Sequence, residues 1–262
     1  VSAPPRPTPP AIAVPAALAV ALLALPVVGL LQRAPWSTLL ERLTSTEILD
    51  AIRVSVTVSV VAALLCLALG LPLAWILARH EGRSIAVLRI LVLLPMVLPP
   101  VVGGTALLFA LGRRGLFGEW LNRWFGVTLP FTTAGAVVAA TFVALPFFVT
   151  TVESALRDEG PALDEAAALA GASPWQTFVH VTLPALRGSI AAGVALSWAR
   201  ALGEFGATIT FAGSLGGRTR TLPVEAFLAL EQDPETAIAV SVLLLAISLS
   251  VLAVLRGRWL DR

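Results

Sequence analysis

Arg200 and Glu204 carry the most chemically demanding groups in the chain, because they lie inside an apolar stretch, Ser197–Gly213, that reads SWARALGEFGATITFAG. A charge placed at the centre of a hydrocarbon layer costs at least about 2.5–3.5 kcal/mol, so such groups pair or face a polar pathway. At four residues' separation a guanidinium and a carboxylate can meet on one helical face. Two readings are open for the pair: an internal ion pair that fixes packing, or part of a translocation pathway or its gate. Phe205, Gly206 and Thr208 belong to the same string, and Gly203 and Gly206 permit close helix approach. The remaining reactive side chains do not form a catalytic centre. His80 and His180 have no cysteine or carboxylate at metal-ligand spacing, and no serine sits in a G-x-S-x-G turn. The single cysteine, Cys66, lies in an apolar run, where it packs as a small hydrophobe. The expectation is a protein that is not an enzyme and holds no metal or cofactor.

A second polar feature, Glu165–Pro184, reads EAAALAGASPWQTFVHVTLP between two long apolar segments. Its residues predict two short helices with a bend. Pro161 suits a first helical turn, and Asp164 and Glu165 sit early, where the helix dipole favours anions. Gly171 can end that helix in a left-handed conformation. Ser173 then caps a second helix, with Pro174 first and Gln176 third, as in a capping box. Pro184 is expected to stop it. Trp175, Phe178 and Val179 fall on one side by their spacing. Such a side fits either a partner's groove or a membrane interface, where Trp is favoured.

These features must be positioned by elements that live in lipid. Of 262 residues, 57% are hydrophobic and 13% charged, with mean hydropathy +0.89; soluble domains carry about 25% charged residues. Six segments reach the roughly 20 apolar residues of a spanning helix: about Ala11–Leu31, Val54–Ala78, Ile85–Leu111, Thr133–Val152, Gly188–Phe211 and Thr236–Leu255. The first is longer than a signal-peptide core and no cleavage site follows it. Residues 1–10 form a proline-rich tail, residues 11–262 a membrane domain, and residues 153–187 the loop carrying the polar feature. In the third segment Pro95, Pro99, Pro100, Gly103 and Gly104 interrupt regular helix, which membranes tolerate where the break is buried in protein or lines a cavity. All basic residues are arginine and net charge is +2, without a cluster of the kind that grips nucleic acid. The arginines divide almost evenly between the two sides, with the Arg79–Arg83 turn favouring a cytoplasmic N-terminus.

Glu165-Ala166-Ala167, then Gly171, then nine residues, then Val181-Thr182-Leu183-Pro184 resembles the EAA loop of the permease subunits of bacterial ABC importers, with Val181 in place of the usual isoleucine. The strings ARALGEFGAT, FAGSLGGRTRTLP and LPMVLPPVVGG narrow the resemblance to oxyanion importers, and among them to molybdate permeases; sulfate permeases share much of the ALGEFGA string. The resemblance implies an all-α protein with the six-helix type I importer fold. It makes the loop a coupling element, in which Glu165, Ala166, Ala167, Gly171, Trp175, Phe178, Val181, Leu183 and Pro184 meet a separate ATPase. It places Arg200, Glu204, Phe205, Gly206, Thr208, Pro99 and Pro100 at the pathway or its gate. It also implies a second copy of the chain, an extracytoplasmic oxyanion-binding protein, and a plasma-membrane location with both termini in the cytoplasm. The chain has no GxxxxGK[ST] loop, which leaves ATP to the partner. Tungstate or sulfate as the oxyanion, and an ion-coupled carrier, stand as alternatives.

Overall fold

Thirteen α-helices and one π turn make up residues 9–160 and 162–260, which the computed structural model describes. In chain order they are α1 (Pro10–Gln32), α2 (Leu39–Leu43), α3 (Thr46–Arg79), α4 (Arg83–Val97), α5 (Pro100–Leu111), α6 (Gly118–Phe125) and α7 (Thr133–Glu159). There follow α8 (Ala162–Leu169), α9 (Pro174–Thr177), the π turn (Phe178–Thr182), α10 (Leu183–Leu202), α11 (Gly206–Ala212), α12 (Leu222–Gln232) and α13 (Pro234–Leu260). The proline-rich tail, through residue 8, and Pro161 lie outside the described residues.

All six expected spans are helical, but two are not single rods. Among the described residues, five continuous helices are long and apolar enough to cross a membrane; α4 and α5 make a sixth only as a pair bent by 119°. The break falls at Leu98–Pro99, because Pro99 and Pro100 cannot donate to the preceding turn and Pro100 instead begins a new helix. The fifth span stops at Leu202 and resumes as the short α11. The fourth runs past its expected end to Glu159, so the polar loop is shorter than its sequence limits.

The centre of the bundle is α3, α7 and α10. Lipid gives helices no hydrophobic reason to associate, so close contact between small residues must do it. Ala62, Ala74, Ala136, Ala140 and Ala144 are fully buried between these helices. Phe148 of α7 is the wedge among them. A Cβ on Gly70 of α3 would lie 2.5 Å from its ring, and one on Gly193 of α10 would lie 3.1 Å away. Two glycines therefore form the slot for one phenyl ring, which is wholly buried. By contrast α1 leans on α13 and none of residues 11–32 is buried, leaving an apolar rod for lipid or another chain to cover.

At the end where α3 begins, Arg42 of α2 bonds Asp233 at 2.6 Å and pairs with Glu235, holding the α12–α13 corner. Asp233 also caps α13 through Thr236. Those hydrogen bonds from Thr236, aided by the Arg42 charge, hold its carboxyl below the ordinary carboxylate range. Leu222 at the start of α12 donates its N–H to Ser55 of α3 at 2.7 Å, tying this corner to the bundle.

Gly70→Leu is expected to abolish most folded protein, since the new side chain and the Phe148 ring would occupy one space. Phe148→Ala alone should cost about 3–5 kcal/mol through the cavity it leaves. The double variant should recover part of the yield lost by Gly70→Leu, measured as monodisperse protein in detergent and as thermal aggregation temperature. No recovery would show that Gly70 is needed for something other than this contact.

Candidate coupling surface and translocation pathway

The polar loop is built by local chemistry that the sequence announces. Gly160, at φ +66°, turns the chain out of α7. Helix α8 carries Asp164 and Glu165 in its first turn. It ends on Gly171 at φ +86°, where only a residue without a Cβ sits free of strain. Ala172 N–H donates to Ala167 O and Gly171 N–H to Ala168 O, each at 3.0 Å, the two bonds of a Schellman cap. Ser173 and Gln176 form the expected reciprocal capping box around Pro174.

Pro184 does not stop the second helix, as its sequence position suggested. The π turn before it widens the backbone, and the chain runs from Pro174 to Leu202 as one span. Leu183 N–H reaches back five residues to Phe178 O, and the looser turn accommodates the proline ring and its missing donor. Val181, Leu183 and Pro184 thus belong to the root of a spanning helix.

The side expected from Trp175, Phe178 and Val179 is divided. Phe178 is half-buried and packs edge-on to Trp75 of α3, with ring centroids 6.5 Å apart. Trp175 remains 71% exposed. Leu169 at the end of α8 is 91% exposed and had not been singled out in the sequence; a large apolar residue beside the left-handed Gly171 bend, at the end of a short alanine-rich helix, was the available signal. Glu165 and Ala166 are also exposed and Ala167 is half-buried. A cavity of about 240 Å³, lined by Trp75, Ala168, Ala172, Pro174 and Phe178 with Asp164, Thr177 and Thr182, lies among α3, α8 and α9. Acid, exposed Leu and exposed Trp together suit insertion into a cleft.

The second group of predicted residues gathers where two helices break. Arg200 and Glu204 are not on one continuous helix, because α10 ends at Leu202. They still pair, at 2.7 Å, since Gly203 keeps a near-helical conformation as the chain leaves α10. Glu204 is 2% exposed and does a second job that spacing alone did not reveal: its other oxygen accepts the N–H of Ala207 at 2.8 Å and so caps α11. The break that removes helical hydrogen bonds thereby supplies a carboxylate to replace one.

Helices α5 and α11 press together here. A Cβ on Gly206 would fall 2.5 Å from Pro100 Cβ, and one on Gly104 would fall 2.7 Å from Thr210 and 2.8 Å from the Ala207 carbonyl. Gly206 thus plays the close-approach role expected of it. Gly203 does not; its nearest foreign atom is a carbonyl of its own helix. A cavity of about 130 Å³ opens beside the break, lined by Pro95, Pro100, Gly103, Phe142, Phe147 and Arg200. Thr208 is buried in α11 with its hydroxyl oxygen unpaired. Pro99 caps α5. Phe205 is not among the residues lining that cavity; its ring lies tilted against Phe227 of α12, with centroids 4.9 Å apart.

A broken span, a buried ion pair at the break and a structured loop at the opposite end of the same helix are the parts of a transport subunit. The family described as binding-protein-dependent transport system inner membrane component matches residues 70–262. The chain belongs to that family. It is therefore a multi-pass inner-membrane permease component and not a catalyst. The molybdenum transport system permease protein ModB of Mycobacterium bovis is 43% identical over 245 residues, covering 94% of this chain and 92% of that protein. The Escherichia coli K12 protein of the same description is 39% identical, covering 81% and 93%. The sulfate transport system permease protein CysT of E. coli K12 is 37% identical, covering 83% and 78%. Among solved structures, a bacterial alginate ABC transporter in complex with an alginate pentasaccharide-bound periplasmic protein shares the fold, with TM-score 0.73 at 18% identity over 94% of this chain and 91% of that one.

The permease's ion pair can be dissected by substitution. Glu204→Gln keeps an oxygen for the Ala207 cap and should assemble well. Glu204→Ala removes the cap and strands Arg200, and breaking a buried pair from one side costs about 3–5 kcal/mol. The double change Arg200→Leu with Glu204→Leu should recover assembly relative to Glu204→Ala, read by size-exclusion chromatography. Transport lost from the assembled double variant assigns the pair to the pathway; full transport reduces it to packing.

Proposed function

We propose that this permease carries molybdate across the plasma membrane as one of two identical pore subunits, driven by a separate ATP-binding-cassette ATPase and supplied by an extracytoplasmic oxyanion-binding protein. The observation that carries the substrate is the 43% identity to a molybdenum permease along nearly the whole of both chains. The similarity to a sulfate permease is lower and covers less of each chain. The cytoplasmic side is that of α8 and α9, so both termini face the cytoplasm and α6 and α12 face outward.

In this reading Glu165–Pro184 is the coupling segment. Trp175 and Leu169 enter a cleft of the ATPase, Glu165 makes a polar contact at its edge, and Gly171 supplies the bend. ATP binding brings two ATPase subunits together, which draws the coupling segments with them and turns the pore from inward-facing to outward-facing. Arg200, Glu204, Gly206, Thr208, Pro99 and Pro100 stand at the pathway or its gate, where the α5 and α11 half-helices meet. The homodimer is supported by the exposed apolar length of α1, which lipid or a second copy must cover.

Reconstitution with its ATPase and binding protein tests the substrate. Molybdate-loaded binding protein should stimulate ATP hydrolysis and sulfate-loaded protein should not; the reverse result would move the permease to sulfate. Gly171→Leu should abolish ATPase association or uptake, because a side chain at φ +86° unmakes the bend. Normal association and uptake in that variant would refute docking through this segment. Mass measurement of the complex should find two copies of this chain.

A further inference from the structure

Arg79 is the last residue of α3, and its guanidinium spans the joint between α7 and α8. One nitrogen donates to the Gly160 carbonyl at 3.0 Å and, more weakly, to the Leu156 carbonyl at 3.5 Å, both at the end of α7. The other bonds Asp164 of α8 at 2.7 Å. The second oxygen of Asp164 accepts from the Thr182 hydroxyl of the π turn at 3.2 Å. One cation and one carboxylate thus connect α3, α7, α8 and the root of α10. A second tier lies alongside. Glu153 of α7 accepts from Arg89 of α4 at 2.8 Å and from Arg157 at 3.0 Å. Both of those arginines also donate to the Leu77 carbonyl near the end of α3, at 3.2 and 2.7 Å.

We infer that Arg79 and Asp164 are the link through which the coupling segment moves α3 and α7, an inference that rests on the ATPase-docking reading above. A displacement of the Trp175 end reaches α10 directly, because α9, the π turn and α10 are one helix. No such continuity leads to α3 or α7. The covalent route to α7 passes Gly160, a glycine joint that bends. The Phe178–Trp75 contact to α3 is apolar and can slide. The Arg79–Asp164 bonds are directional and fixed at both ends, and the side chains are only 15% and 29% exposed. Removing either partner leaves the other charge poorly solvated. The link ties α8 to the ends of α3 and α7, beside the packing of α10 on those helices, so that the coupling segment and the core follow one another as one body. Arg79 and Asp164 are positioning residues and touch neither ATP nor the transported anion.

The test is a double-variant cycle in the assembled complex with its ATPase in proteoliposomes, using Arg79→Gln, Asp164→Asn and both together. Each single variant should co-purify with the ATPase and keep basal ATP hydrolysis. Uptake per ATP hydrolysed, with molybdate-loaded binding protein, should fall about five- to tenfold. The double variant should be no worse than either single one, as for two halves of one interaction. Spin labels at positions 83 and 168, on chains diluted with unlabelled ones so that each assembled complex carries one labelled copy, should give one sharp distance in the parent and a broadened distribution in all three variants. Wild-type uptake per ATP in Asp164→Asn, or losses that simply multiply in the double variant, would overturn the link. Should Arg79→Gln fail to assemble, Asp164→Asn and the distance measurement decide alone. Failure of the docking reading is distinguishable, because Gly171→Leu would then still co-purify with the ATPase and support normal uptake.

Discussion

The structure depends on how closely three helices approach one another around a single ring. Phe148 fits between Gly70 and Gly193 only because neither glycine carries a Cβ, and the alanine rows of α3 and α7 continue that close spacing on either side. In lipid, where apolar side chains gain nothing by leaving solvent, contact of this kind and a few polar bonds are what remain to hold helices together. Each of the functional features hangs from the α3–α7–α10 core. The polar loop leaves the end of α7 and returns into α10, while α11 continues the chain beyond the far end of α10.

That rigid centre contrasts with the two broken spans beside it. At Pro99–Pro100 the chain gives up helical bonds because proline cannot make them. At Gly203–Phe205 it gives them up in a sequence without proline, and Glu204 repairs the loss by capping α11 while pairing with Arg200. The two breaks meet through Gly206 and Pro100, so two half-helices, each too short to span, are packed against each other. Non-helical backbone at membrane depth is tolerated only when buried in protein or lining a cavity; here the Arg200 cavity adjoins it.

The two ends of α10 have different characters for a physical reason. At the loop end the π turn, Schellman cap and capping box make a self-sufficient element whose polar groups are satisfied locally, leaving Trp175 and Leu169 outward. Arg79 then binds this element to the core through Asp164 while donating to the Gly160 and Leu156 carbonyls at the end of α7, and Arg89 and Arg157 hold α4 and α7 to the Leu77 carbonyl of α3. At the other end the stabilising bonds lie within the chain's own break. One helix thus joins a self-contained polar element to the region where the two half-helices meet.

Much of this was legible in the residues. Apolar length set the six spans, the prolines marked the third as broken, and Gly171 with Ser173 and Gln176 fixed the bend and cap of the loop. These succeed because hydropathy, missing donors and capping are local properties of a few neighbouring residues. Other features depended on what lies across the bundle. The break after Leu202 has no proline to announce it. Pro184 could be read as a stop because the π turn that accommodates it leaves no residue signature. Phe178 turned inward because Trp75, distant in sequence, waits beside it. Arg79 and Asp164 carry nothing in their spacing to say that they meet. The sequence by itself determined which segments live in lipid, where the loop bends and which residues could carry charge; the tertiary structure alone decided which charges pair and which helices touch, because those choices are made between segments that only the packing of the bundle brings together.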